Sequence, residues 1–231
     1  MNSDTPEILY EDNHLLIVNK HAGDIIQGDK TGDISLSEIL KEYIKRRDVK
    51  PGRVFMGVPH RLDRPVSGVA VFAKTSKALE RLNELFRSGA ISKTYWAIVK
   101  NLPTKKSDFL THYLVRNEQQ NKSYAHHAPK ANAKEAKLSY NLLCSGENYH
   151  LLEVALLTGR HHQIRCQLAA IDCSIKGDLK YGAPRSNADG SISLHARNIS
   201  FIHPVKKEPI SVTAPVPDDK LWKWFEENAE R

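Results

Sequence analysis

The residue types best suited to chemistry gather in one stretch, Val58 to Lys74. Asp63 lies there between Arg61 and Arg64, with His60 close by, and Pro59, Pro65 and Gly68 interrupt regular structure. Val69 to Ala73 follows as a short apolar run rich in β-branched and aromatic residues, which predicts a buried strand. A loop feeding a rigid strand can hold a reactive group still. Two flanking cations favour the ionised carboxylate, the form able to act as a nucleophile. The same residues would also make a surface ion pair that only ties the loop down. Local chemistry leaves both readings open.

A second candidate stretch runs from Leu157 to Ala169, with Thr158-Gly159-Arg160-His161-His162-Gln163-Ile164-Arg165 at its front. Gly159 breaks a strand. Ile164, Leu168 and Ile171 recur at helical spacing, so a helix begins near His161 and places Arg165 one turn in, beside the buried face. Lys93 to Val99 reads as a strand carrying Tyr95, and on composition alone such a tyrosine is more often plain core.

Other chemistries find no support. Cys166 and Cys173 are too far apart for a zinc knuckle, and His161 and His162, being adjacent, would point to different helix faces, so no metal site is expected. The chain has no GxSxG, GxGxxG, Walker loop or HExxH pattern.

The remaining elements can be placed around these stretches. Ile8 to Tyr10 and Leu15 to Asn19 predict two strands joined by Asp12-Asn13. Ser35-Leu36-Ser37-Glu38 reads as a capping box opening a helix whose Leu36, Ile39, Leu40, Tyr43 and Ile44 share a face. The basic run from Lys41 to Arg53 suits either RNA phosphate or a solvated helix end. Thr75 or Ser76 caps a further helix that Gly89 ends. Residues 104–137 form the least regular part, mixing Lys and Arg with Tyr113, Tyr124, His112, His126 and His127, as in a loop or hairpin lying along RNA or in a merely solvated insertion. Lys137 to Cys144 and Tyr149 to Leu157 read as strands. Asp218 or Asp219 caps a last helix through Leu221, Trp222 and Phe225.

The 231 residues, 40% hydrophobic, suffice for one packed core, and the net charge of +7 tilts the partner towards nucleic acid. Three cysteines and no secretion signal at the N-terminus predict a cytoplasmic protein in a reducing compartment. No apolar run approaches the roughly 18 residues that span a bilayer.

His60-Arg61-Leu62-Asp63 with Ser67-Gly68 resembles the HRLD…SG signature of the RluA-type pseudouridine synthases. Tyr10 to Lys20 is similar to that family's opening motif, with His21 where proline is usual. Lys93-Thr94-Tyr95-Trp96-Ala97 resembles its Lys-x-Tyr-x-Ala motif, and Thr158 to Ala169 its TGRxHQIRxxLA motif, with Gln167 where histidine is frequent. Pro65-Val66 also departs from the usual acidic residue and threonine. The likeness continues through Gly177-Asp178 and Tyr181-Gly182 and covers about residues 7 to 225.

The resemblance implies an α+β fold: a bent, mixed but mostly antiparallel sheet with flanking helices and an RNA-binding cleft. It implies one catalytic domain over residues 1–231, with a basic insertion at about 104–137 and without the auxiliary N-terminal RNA-binding domain of many relatives. The implied reaction turns uridine into pseudouridine in a stem-loop of ribosomal large-subunit RNA or tRNA, with no cofactor or metal. Asp63 would be the catalytic carboxylate, Tyr95 the base-stacking residue and Arg165 the partner of Asp63. His60, Arg61, Arg64, Arg160, His161 and Leu168 would contact RNA, Leu168 as a pocket wall that a core leucine would read like. A monomer is the default. The rivals are an RNA-binding protein without catalysis and a base-releasing glycosylase.

Overall fold

The computed structural model describes residues 6–28 and 32–229. The chain divides into two compact units, residues 1–91 with 196–215 and residues 92–195 with 216–231.

In the first unit, β1 (Ile8–Glu11), β2 (Leu15–Lys20), β3 (Ser67–Ala73), β9 (Leu194–Ile202) and β10 (Pro209–Thr213) lie side by side in the order β1-β2-β3-β9-β10, β9 entering this unit at Ala196. β1 pairs antiparallel with β2, β2 with β3, and β10 with β9. β3 is buried at every position, which is why it reads as an unbroken apolar run. Leu15, Ile17, Val69, Val71, Ile199, Phe201 and Val212 pack with Ala78 and Leu82 of α2 (Ser76–Ser88). The α2 ends are as the sequence predicts: Thr75 accepts the Ala78 N–H, and Gly89 is left-handed with φ 74.

Helix α1 (Leu36–Arg47) begins where expected but by another device. The Ser35 side chain makes no cap bond and instead meets the Ser37 hydroxyl. The first helical amides are satisfied by the loop before them, Leu36 N–H donating to Ile25 O at 2.7 Å and Ser37 N–H to Ile26 O at 3.2 Å. The Glu38 amide, the one a capping box would serve, donates to Ser35 O at 3.0 Å instead of to the Ser35 side chain. In the basic run, Lys41 and Arg46 pair with Glu38 and Glu42, and Arg47 makes a two-pronged bond to Glu11, so much of that charge is held within the protein.

The second unit carries β4 (Ser92–Val99), β5 (Ser107–Asn117), β6 (Lys122–His126), β7 (Lys134–Ser145) and β8 (His150–Leu156) in the order β4-β8-β7-β5-β6, with antiparallel pairing throughout. Residues 104–137 are thus mostly strand. Leu110, His112 and Leu114 alternate inward with the period of a half-buried strand. The histidine at the middle inward position, buried with its charged form disfavoured, hides that period in the sequence. Helix α3 (Gln163–Ala169) follows β8, and a single 3-10 turn spans Leu179–Tyr181. Helix α4 (Lys220–Ala229) buries Trp222 and Phe225 against Trp96, Ile98 and Leu151. Its cap is Asp219, whose Oδ1 accepts from the Leu221 and Trp222 amides.

Candidate functional site

Asp63 is partly buried in the loop that enters β3. That loop is fastened from beneath by Lys20, the last residue of β2, which has no exposed surface. Its amine donates to Val66 O at 2.6 Å, His21 O at 3.0 Å and Arg64 O at 3.1 Å. Three carbonyls match the three protons of an ammonium. Burial pulls the Lys20 amine down to about 8, against the attraction of Asp24 and Asp63. A Val66 N–H to Asp63 O bond of 3.0 Å closes the turn itself. Lys20 is set apart from a surface lysine by its burial at a strand end, which the fold and not the local sequence produces.

Gly68 explains the Ser-Gly pair after the loop. Its φ is +111, and a Cβ built there would lie 2.3 Å from Ala196 O. Glycine is needed for both reasons: the conformation and the closeness of the β9 backbone. His60 is held within the unit, its Nε2 accepting the Val71 N–H at 2.9 Å and its ring stacked 4.8 Å from Phe86. Arg64 pairs with Asp33 at 2.8 Å. Arg61 is exposed, with no hydrogen bond or ion pair among the described residues. Of the three basic residues around Asp63 it offers the most available charge.

In the second unit Tyr95 lies on β4 opposite Val154 and is 9% exposed. Arg165, one turn into α3, is buried and grips Asp178 with both prongs: Nε to Oδ2 at 2.6 Å and Nη2 to Oδ1 at 2.8 Å. Asp178 is the carboxylate that sequence reasoning passed over. Its preceding Gly177 has φ +88, with Asn187 and Ser191 O 2.8 Å from a would-be Cβ, so the turn that presents Asp178 requires glycine. The Arg165 guanidinium also lies 5.1 Å over the Tyr181 ring. Tyr181 in turn accepts the Ser123 N–H at 2.8 Å and bonds His162 Nδ1 at 3.1 Å, so it joins the start of α3 to the β6 strand.

His161 stacks on His162 at 3.8 Å and bonds Ser123 and Asn121, which makes it part of this same fastening. His162 is left-handed at φ 52, and α3 starts after it, two residues later than the spacing predicts. Arg160 is exposed and donates through Nε to Glu135 O. Leu168 is wholly buried and packs as a core residue. Among the described residues no group of three His, Cys, Asp or Glu side chains is placed to hold a metal, and no helix is long and apolar enough to cross a membrane.

A family model described as RNA pseudouridylate synthase matches residues 14–170, which include Asp63, Tyr95 and Arg165. The chain belongs to that family. It is 32% identical over 217 residues to a protein named ribosomal large subunit pseudouridine synthase C from Buchnera aphidicola, covering 90% of this chain and 66% of that one. It is 30% identical over 223 residues to the ribosomal large subunit pseudouridine synthase D of Zymomonas mobilis, covering 92% and 70%. The chain spans about two thirds of the length of these curated relatives. Among solved structures, human RNA pseudouridylate synthase domain containing 4 superposes with a TM-score of 0.78 at 24% identity, over 97% of this chain and 93% of that one. The protein therefore has the α+β fold of this family.

Proposed function

We propose that the protein converts uridine to pseudouridine in structured RNA, with Asp63 as the catalytic carboxylate. The observation that carries this reading is the Asp63 loop: a partly buried carboxylate beside an exposed, uncommitted arginine, set in a loop fastened by a buried lysine. An ordinary surface ion pair would not need that foundation.

The reaction is an isomerisation. The glycosidic N1–C1′ bond breaks, the uracil turns, a C5–C1′ bond forms, C5 gives up its proton and N1 takes one up, so the atoms balance; neither a metal nor an organic cofactor is called for. Asp63 adds to the uridine or assists departure of the base from the ribose. Tyr95 stacks on the uracil and relays the C5 proton. Arg165, aligned by Asp178, supplies positive charge for the reacting groups. The target base is brought out of its stack, and Arg61 and Arg160 hold phosphates while it is out. The β5–β6 hairpin, with a concave face of Arg116, Tyr124, His126 and Lys130, lies along the RNA strand.

Ribosomal large-subunit RNA is the favoured target, because relatives of both kinds named above carry that RNA in their names; a tRNA stem-loop is the other. The three cysteines are unpaired thiols, which suits a monomer working in the reducing cytoplasm. Pseudouridine mapping of total RNA tests the reading in cells with the gene intact, deleted, or restored as Asp63→Ala. Sites should vanish on deletion and stay absent with Asp63→Ala. Sites restored by Asp63→Ala would refute the role of Asp63 and favour RNA binding without catalysis.

A further inference from the structure

Lys93 is a cation without a counterpart. It is partly buried near the start of β4, and no hydrogen bond or ion pair engages its amine among the described residues. The other partly buried lysines of the unit are engaged: Lys122 lies over the Tyr124 and Tyr181 rings, Lys137 meets Glu135, and Lys176 meets Asn187. Lys93 and Tyr95, two residues apart on one strand, project to the same face.

The place where the amine sits is also specific. It lies 3.8 Å from the point that a Cβ on Gly159 would occupy, so it faces the bare backbone of the turn between β8 and α3. Arg160 is the next residue in that turn. Glu135, whose backbone carbonyl Arg160 meets, has its carboxylate taken up by Lys137. Burial alone accounts for the downward pull on the Lys93 amine, with no acid offsetting it. An ammonium half out of water and lacking an anion costs the free protein stability, and the cost is recovered when a ligand brings the anion.

We propose that Lys93 is a phosphate-binding residue whose amine takes a phosphodiester oxygen of the RNA strand beside the base that Tyr95 receives. The proposal rests on the functional reading above. A formal anion, rather than a uracil carbonyl, is the partner that a charge stranded in this way requires. The glycine admits the sugar–phosphate backbone because no side chain covers the amine there.

The test uses Lys93→Met and Lys93→Arg in the full chain. With the mapped substrate RNA, Lys93→Met should raise KM about tenfold at low salt. The fall of kcat should be much smaller. The slope of log KM against log salt should shrink by about 0.7 to 0.9, the contribution of one phosphate contact. Lys93→Arg should restore the slope. Removing a stranded charge should leave the melting temperature of Lys93→Met equal to or above that of the wild type. An unchanged salt slope, a lowered melting temperature, or a loss confined to kcat would each overturn the proposal. If the wild type forms no pseudouridine at all, the functional reading fails by itself. Filter binding of single-stranded RNA then still reads the lysine, because the same slope change is expected there.

Discussion

Arg165 and Asp178 form a two-pronged ion pair with side chains 7% and 1% exposed. An arginine so placed has one orientation, fixed on one edge by the carboxylate and on one face by Tyr181. Breaking one half of such a pair is costly because the other charge stays buried. Asp178→Asn should therefore lose about 3 kcal/mol of stability by urea denaturation. It should also lower kcat. Replacing both residues by apolar ones of similar size should recover most of the stability and none of the activity. That split would show the pair serves the reaction more than the fold.

Lys20 gives a pH dependence with two opposite signs. Its amine is held at about 8 in the folded chain against an ordinary 10.5. Between those values the unfolded chain binds the extra proton, so this group's contribution to stability is least below pH 8 and rises as pH climbs towards 10.5. Activity should move the other way. A neutral amine has two protons for three carbonyls, so the Asp63 loop loosens. The pH–rate profile should show a basic limb near 8 while the urea midpoint, corrected with Lys20→Met as reference, does not fall. A basic limb that survives unaltered in Lys20→Met would remove the lysine from the explanation.

Tyr181→Phe keeps the ring under Arg165 but deletes the hydroxyl that meets Ser123 and His162. It leaves a buried amide without its acceptor, which costs about 1 to 3 kcal/mol. The β6 strand is freed from the turn that precedes α3. Amide hydrogen exchange at Ser123 should speed up, and KM for RNA should rise more than kcat falls. Equal exchange rates in the variant would mean that the hairpin is held by its own pairing alone.

The sequence exposes the parts whose pattern is local. The apolar run of β3, the Thr75 cap and the Gly89 stop of α2 each follow from adjacent residues. What stayed hidden depends on distant carbonyls and buried ions. The Ser35 box looks complete, yet Ile25 and Ile26 take the first two amides and the Glu38 amide meets the Ser35 carbonyl. The regular strands of residues 107–126 were obscured by His112, a polar residue in an inward place. The motifs around Asp63, Tyr95 and Arg165 are legible because each is a run of adjacent residues. Lys20 and Asp178 lie in neighbouring stretches of the same resemblance, but only their burial distinguishes them from surface charges.

Gly68 and Gly23 make a controlled pair for separating backbone conformation from crowding. Both have positive φ, +111 and +98, so alanine is strained at either. At Gly23 a Cβ would meet nothing within 4 Å, and Gly23→Ala should cost about 1 kcal/mol from strain alone. At Gly68 it would meet Ala196 O at 2.3 Å, which is backbone of the neighbouring strand and cannot rotate aside. Gly68→Ala must therefore push β3 from β9 at the end of the Asp63 loop, with a loss of more than about 3 kcal/mol. Urea midpoints of the two variants measure the difference directly. Activity under conditions where both are folded adds the functional part: Gly23→Ala should stay near wild type, whereas Gly68→Ala should fall by about a hundredfold, as a misplacement of about 1 Å does. Equal losses in the two would mean that strain, not the approach of β9, is what the glycine at 68 serves.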